Sequence, residues 1–420
     1  YAMDRLSIKS ILLLSLPTAF QLWSNHPQIV YYTWMLVLFR CIWTQGQTVI
    51  KEQSYNFVKS SKVFGVLIAG ILLALMMVSD PYISVFEFQK HSNRGAVSVL
   101  DETGDTASGT DWDYATQWSF HQREIISFIY PYFYGLQNFS SRDVKQAAYW
   151  GYMPFTQSTH YMGLIVVLVA ILGALLRKPD RFQTFLWVST ALILLIGFGK
   201  YIPILFSPLY YWAPFFSKFR VPSMIYALLP FTIGLLAAYG LNTILNMLTD
   251  ASTENARRVA QRTFWVFGVF IALTLMYLLV GSSLVSFTKS GDITRYGVQT
   301  MDQIKDIRIN FFQKGMLLAF FMALSGGTSI WAVAKGKLPV VYLGWIIIGL
   351  TVVDLWIIDN EFLNLKDPVN MKRQFRPNAI TEYLTKDKDL FRIYPVDDFG
   401  SNWYGYFGIA SVGGYRPVKL

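Results

Sequence analysis

Apolar residues fall in nine long stretches, at 10–23, 28–43, 63–79, 161–176, 182–198, 224–241, 263–284, 311–334 and 338–358. A membrane-spanning helix needs about 20 mostly apolar residues, and each stretch approaches or meets that length. The pattern predicts an all-α polytopic membrane protein with about nine transmembrane helices. The first stretch is the shortest and holds Pro17 and Gln21, so it could instead form half of a re-entrant pair with the second. From residue 359 the pattern turns polar. A helical pattern at 379–384, a strand-like Phe391-Arg392-Ile393-Tyr394 within 390–396, and a turn at Gly413-Gly414 and Pro417 predict the start of an α/β domain. The chain thus divides into a transmembrane core, 1–358, and the beginning of a C-terminal domain, 359–420.

Lysine and arginine sharpen this reading. One alternating set of connections holds Arg5 and Lys9; Lys51, Lys59 and Lys62; Arg177, Lys178 and Arg181; Arg257, Arg258 and Arg262; and Lys335 and Lys337, thirteen cations in all. Cytoplasmic loops carry such an excess. The turn at His26, the loops 80–160, 199–223 and 285–310, and the C-terminal segment then face outward. Much of the net charge of +10 is orientation signal, so nucleic acid is not implied. With 53% hydrophobic and 15% charged residues, against roughly 25% charged in soluble domains, a cytosolic enzyme, a disordered chain and a secreted disulfide scaffold are excluded. The one cysteine, Cys41, permits neither an intrachain disulfide nor a cysteine-based metal site. The chain opens on Tyr1 without a cleavable signal peptide and stops at Leu420 inside what reads as a folded segment. It therefore reads as a piece of a longer protein.

Two outward loops hold the candidate chemistry. Loop 80–160 carries nine acids against five Lys/Arg. It has a small, polar, flexible tip at 100–111, then an aromatic run from Asp111 to Phe120, then an apolar stretch from Glu124 to Pro131. That last stretch reads as an interfacial helix along the outer leaflet. Asp111 and Asp113, two apart on an extended backbone, would share one side and could hold a divalent cation or act as base and electrostatic stabiliser; they could equally be solvated loop acids. Glu124, near Trp118 and His121, is a further acid/base candidate, or simply a favourable charge at a helix start. Loop 199–223 carries Lys200, Lys218 and Arg220 among aromatics, with no acid. Outward cations oppose the usual sidedness. They would grip an anionic lipid phosphate or diphosphate, or pair with loop acids, or snorkel to headgroups. His26 could bond a phosphate or belong to a plain capping turn. His91, His121 and His160 lack zinc spacing, and Gly197-Phe198-Gly199-Lys200 lacks the spacing of a P-loop. Asn138-Phe139-Ser140 is a glycosylation sequon only where the source uses such sites. Arg40, Lys314 and Asp354 fall toward span ends, where long side chains snorkel. No internal repeat or midplane charge pair favours an ion-coupled transporter.

Several stretches, read in order, resemble the YfhO family of bacterial membrane proteins, grouped with GT-C type glycosyltransferases. They are Ser24-Asn25-His26-Pro27-Gln28 with Tyr31-Tyr32; Asn93-Arg94-Gly95; Asp113-Tyr114-Ala115-Thr116-Gln117-Trp118-Ser119 with Glu124 and Pro131; and Tyr149-Trp150-Gly151-Tyr152-Met153-Pro154-Phe155-Thr156. Lys218-Phe219-Arg220-Val221-Pro222-Ser223, Asp354-Leu355-Trp356 and Gly413-Gly414-Tyr415-Arg416-Pro417-Val418-Lys419-Leu420 complete the set. The resemblance implies a GT-C-like core in the bacterial cytoplasmic membrane that moves a sugar from a polyprenyl-phosphate-linked donor to a cell-envelope polymer or lipid acceptor. It also implies a catalytic acid in a first outward loop ahead of Tyr1. Membrane lipids are the remaining expected partners, and a divalent cation is an open possibility. An outward-facing transferase cannot draw on cytosolic nucleotide sugars, which independently calls for a lipid-borne donor. In this reading Lys218, Arg220, Lys200 and His26 hold the donor phosphate; Asp113, Asp111 or Glu124 serves as base or metal ligand; and Tyr114, Trp118 and Trp150 line the sugar site. A lipid or polysaccharide exporter and a non-catalytic envelope scaffold are the alternatives.

Overall fold

The computed structural model describes residues 7–24, 26–53, 56–89, 111–136, 148–154, 160–250, 252–363 and 367–414. By contacts the chain forms two units, Tyr1–Ser84 with Thr110–Asn360, and Val85–Gly109 with Glu361–Leu420. The expected flexible tip, the sequon at 138–140, and the resemblance residues Asn25, Asn93-Arg94-Gly95, Phe155-Thr156 and 415–420 lie outside the described residues.

The first unit is mainly helical, with no strand among its described residues. Its elements are α1 (Ile8–Trp23), α2 (Pro27–Glu52), α3 (Phe57–Met77), the start of α4 (Ser79–Gln89), the single turn α5 (Trp112–Ala115), α6 (Leu164–Leu176), α7 (Arg181–Gly197), the short α8 (Phe206–Trp212), α9 (Leu229–Thr249), α10 (Thr253–Leu284), α11 (Asp292–Tyr296), α12 (Val298–Ala334) and α13 (Val340–Asp359). Each of the nine apolar stretches lies largely on one of these helices, with 224–228 in a 3-10 segment just ahead of α9. Five segments are long and apolar enough to cross a membrane: Phe57–Met77, Pro222–Thr249, Thr253–Leu284, Val298–Ala334 and Val340–Asn360. The chain is a multi-pass membrane protein. Three other helices, α1, α6 and α7, have 16, 13 and 17 residues, below the usual spanning length. α2 is long but turns polar past Trp43, at Thr44, Gln45, Gln47 and Thr48.

α6 packs on α9 so closely that a methyl group on Gly173 would meet the Gly240 backbone, the small-residue contact by which membrane helices approach each other. α10 packs on α12, where Gly327 lies under Phe267. The interior is filled by Leu164, Ile165, Leu168, Leu236, Phe267, Met316 and Ala323.

Several local expectations change. Asp354 does not snorkel from a span end; it is fully buried. Its Oδ1 accepts from the Tyr161 hydroxyl at 2.7 Å and its Oδ2 from the Leu164 N–H at 2.8 Å. The first amides of any helix lack an internal acceptor, and Gly163 at the head of α6 has no side chain to offer, so α13 supplies the cap. Arg40 lies between aromatic rings, 4.9 Å from the Phe182 centroid and 5.1 Å from that of Phe185. The expected interfacial helix is a 3-10 helix, Gln122–Phe128. Its Phe128 is packed into the protein core against Phe120 and Tyr226, with ring centroids 5.3 and 5.7 Å away, so its apolar residues serve the core rather than a lipid face.

In the second unit, α14 (Pro368–Gln374) and α15 (Ala379–Leu384) form where the pattern turns polar, and Asn378 caps α15 in a capping box with Thr381. The expected strand at 390–396 does not form. Among the described residues its pairing shrinks to one parallel bridge, Ile393 with Ser411, too short to begin a sheet.

Candidate functional site

Loops from far-apart sequence positions are tied together at one end of the first unit. The Phe120 N–H donates to Gly197 O at 3.0 Å, and the Lys200 N–H donates to Ser119 Oγ at 3.1 Å. At Gly199, φ is +49° and a Cβ would collide with Ser119 Oγ; only glycine permits this seam. From α2, buried Gln28 donates through Nε2 to Arg220 O at 2.6 Å, and the Tyr31 hydroxyl donates to Pro214 O at 2.8 Å.

Arg220 is the focus of the first cluster. Its Nη1 donates to the Tyr114 hydroxyl at 2.6 Å, and its guanidinium lies 5.0 Å from the Tyr114 ring centroid and 5.2 Å from that of Trp118. Among the described residues no carboxylate lies within ion-pair distance of it. Three non-glycine residues beside it adopt left-handed backbone: Trp118 (φ +55°), Phe215 (φ +63°) and Val221 (φ +62°). A β-branched residue such as Val221 is a true outlier there. Each such residue costs of order 1–3 kcal/mol and persists only when its surroundings over-determine it. Gln28 supplies part of that constraint by holding the carbonyl immediately before Val221.

A second cluster surrounds Glu124. This residue is fully buried, and its Oε1 accepts from the Tyr149 hydroxyl at 2.9 Å and from the Tyr152 N–H. A side chain on Gly151 would strike that carboxylate. Lys289, on the loop after α10, reaches over Tyr149, its Nζ 5.7 Å from the ring centroid. Partial burial lowers the Lys289 pKa, while the charges of Glu124 and Asp292 oppose that shift. Beneath it, Asp292 and Arg308 form a buried ion pair at 2.6 Å; Arg308 Nη1 also donates to Phe287 O at 2.8 Å, and Asp292 Oδ2 accepts from the Lys289 N–H at 2.6 Å. Between the clusters, His121 stacks on Tyr152 with centroids 3.8 Å apart and meets Tyr201 edge-on at 4.7 Å. Burial and the Arg123 charge lower the His121 pKa.

The residues singled out from the sequence are distributed unevenly. Tyr114, Trp118 and Arg220 come together. Asp111 and Asp113 do not lie on an extended strand: Asp111 is the N-cap of α5, its Oδ2 accepting from the Asp113 N–H at 3.1 Å. Both are exposed, and Asp113 adjoins Tyr114. Glu124 is inside the protein rather than at the surface expected of an acid/base group, because the Tyr149 hydroxyl and the Tyr152 amide stabilise it there. Trp150 is half-buried and packed against Tyr134 and Phe287, with centroids 4.7 and 5.7 Å away and its Nε1 shut off from solvent. Lys200 is exposed, with Nζ 5.9 Å from the Tyr201 ring, and Lys218 is half-buried. His26 is exposed at the head of α2 and makes no side-chain capping bond. Among the described residues no group of three or more His, Cys, Asp or Glu side chains is arranged to hold a metal ion. Tyr152, Tyr201, Lys289 and the Asp292–Arg308 pair escaped the sequence reading, because neither periodicity nor spacing links 121, 152, 201 and 289. The Tyr149-Trp150-Gly151-Tyr152 run was the one available signal.

His160 lies edge-on to Phe120, Phe128 and Tyr226, with centroids at 5.6, 6.2 and 5.2 Å. Burial pushes its pKa down to about 4. Its folded-state pKa is below the unfolded value, so the stability that neutral His160 permits is complete above the unfolded pKa and is lost as pH falls from about 6.5 towards 4. The expected loss is ~2 kcal/mol by about pH 5. His160→Phe should flatten that part of the pH–stability curve, measured by thermal unfolding in detergent; an unchanged slope would show that His160 does not cause it.

Compared with known proteins, the chain matches no family model, no curated protein and no solved structure.

Proposed function

We propose that this chain is the nine-span core of a GT-C-like glycosyltransferase of the bacterial cytoplasmic membrane, of the kind the YfhO family represents. It would move a sugar from a polyprenyl-phosphate donor to a cell-envelope acceptor on the outer face. The observation that carries the reading is Arg220: a guanidinium with no described carboxylate partner, framed by two aromatic rings and set on strained backbone. Had the outward cations served only structure, Arg220 would be expected to resemble Arg308, neutralised by a buried aspartate. The loops that meet around it are the same connections that the charge pattern assigns to the outside, which also supports the reading. The bundle interior is packed with apolar side chains among its described residues, which favours a transferase over an exporter with a polar path.

In this reading Arg220 binds the donor phosphate, with Lys200 and Lys218 adding positive potential nearby. An acceptor hydroxyl attacks the anomeric carbon. The bond from that carbon to the phosphate oxygen breaks, and its electron pair leaves with the lipid phosphate, where Arg220 stabilises the growing charge. Exposed Asp113, next to Tyr114, takes the hydroxyl proton.

The test is binding of undecaprenyl phosphate to the full chain in nanodiscs. Charge-assisted hydrogen bonds contribute about 1.5–3 kcal/mol, so Arg220→Ala should weaken binding about 10- to 100-fold. Arg220→Lys should recover only part, lacking the planar fork. Wild-type affinity in Arg220→Ala would refute the assignment.

A further inference from the structure

We propose that His121, Tyr152 and Tyr201 form a carbohydrate subsite that receives one pyranose ring. The inference rests on the transferase reading for the sugar's source but on separate residues for its recognition.

The three rings make an L-shaped notch. His121 and Tyr152 lie face to face, 11° from parallel, and Tyr201 stands at 71° to His121. Tyr152 is 39% exposed and Tyr201 36%, unlike the rings around Trp150, so both offer open area to a ligand. The notch is also held in shape. Buried Glu124 accepts the Tyr152 amide, Gly151 leaves room for that carboxylate, and Arg123 Nη1 lies 3.4 Å from the Tyr152 hydroxyl. Glu124 is thereby a positioning residue. The Arg123 N–H donates to His121 Nδ1 at 3.2 Å, which fixes the neutral tautomer with its proton on Nε2. That N–H is then a donor for a ligand oxygen.

The surroundings select the ligand. Arg123 beside Tyr152 and Lys200 over Tyr201 repel a cation, which excludes the quaternary ammonium that aromatic cages usually take. Rings with apolar faces, hydrogen-bond donors at the rim and, among the described residues, no carboxylate paired with Arg123 or Lys200 suit a pyranose: its C–H face lies on the aromatic wall and its hydroxyls meet the donors. The notch is also within reach of Arg220. Trp118, whose ring faces the guanidinium, is three residues from His121, at most about 10 Å along the chain. A sugar bonded to a phosphate at Arg220 spans that interval.

Saturation-transfer NMR on the full chain in nanodiscs tests this, using methyl glucoside, methyl galactoside, methyl mannoside and methyl N-acetylglucosaminide as probes. At least one should receive transfer at its ring C–H protons. Tyr152→Leu and Tyr201→Leu should each reduce that signal about 2- to 10-fold, as expected for losing an aromatic partner, while Tyr152→Phe retains it. Arg220→Ala should leave glycoside transfer intact while weakening undecaprenyl phosphate binding about 10- to 100-fold, so the two assignments fail separately. Absence of transfer from all four probes overturns the proposal, as does transfer that persists in both leucine variants with an unchanged melting temperature.

Discussion

Replacing Arg308 with methionine is expected to destabilise the protein by about 3–5 kcal/mol, the cost of leaving one member of a buried ion pair without its partner. Arg308 is 1% exposed and Asp292 8%, so the abandoned carboxylate has no water to turn to, and Phe287 O loses its donor as well. The damage should also reach Lys289, whose backbone N–H is held by Asp292. Thermal or denaturant unfolding of the chain in detergent measures the loss. The double change Arg308→Met with Asp292→Asn should recover a large part of it, because removing both charges eliminates the uncompensated one. A single-mutant loss under about 1 kcal/mol would mean that the pair is solvated.

Asp354→Ala carries the second large effect. Its carboxylate is the acceptor for the Tyr161 hydroxyl and for the first amide of α6. Each buried donor left without an acceptor costs about 1–3 kcal/mol, and the Leu164 amide keeps a bond to the Tyr161 oxygen at 2.9 Å. The expected total is therefore about 2–4 kcal/mol. Asp354→Asn keeps an acceptor oxygen of the same shape and should cost roughly half as much. Melting temperature reports the loss, and hydrogen exchange at the Leu164 amide localises it. If that amide exchanges no faster in the alanine variant, Asp354 is not its cap.

The positions of the apolar helices were legible because hydropathy reports which residues leave water. Their ends were less so, because a helix continues as long as its hydrogen bonds do. The stretch predicted at 311–334 is the last part of a helix that begins at Val298; the charged residues 302–308 looked like loop, yet they form further turns whose Met301, Ile304 and Arg308 are buried. Likewise α10 begins at Thr253, ten residues ahead of its apolar stretch, with Ser252 as its N-cap. Part of the Arg220 cluster could be anticipated, since a cation among aromatics in a loop expected to face outward runs against the usual charge sidedness. The surroundings of Glu124 could not, because its neighbours come from 149–152 and 289.

Apolar length and the alternation of basic loops settle from sequence alone that this is a helical, multi-pass membrane protein, because both follow from transfer of residues out of water and need no knowledge of neighbours. Tertiary structure decided what the polar residues do. Arg220 and Arg308 read alike along the chain, each a cation in a loop expected to face outward. Packing neutralises one with Asp292 and leaves the other facing aromatic rings, since charge compensation depends on distances across the fold that no local pattern encodes.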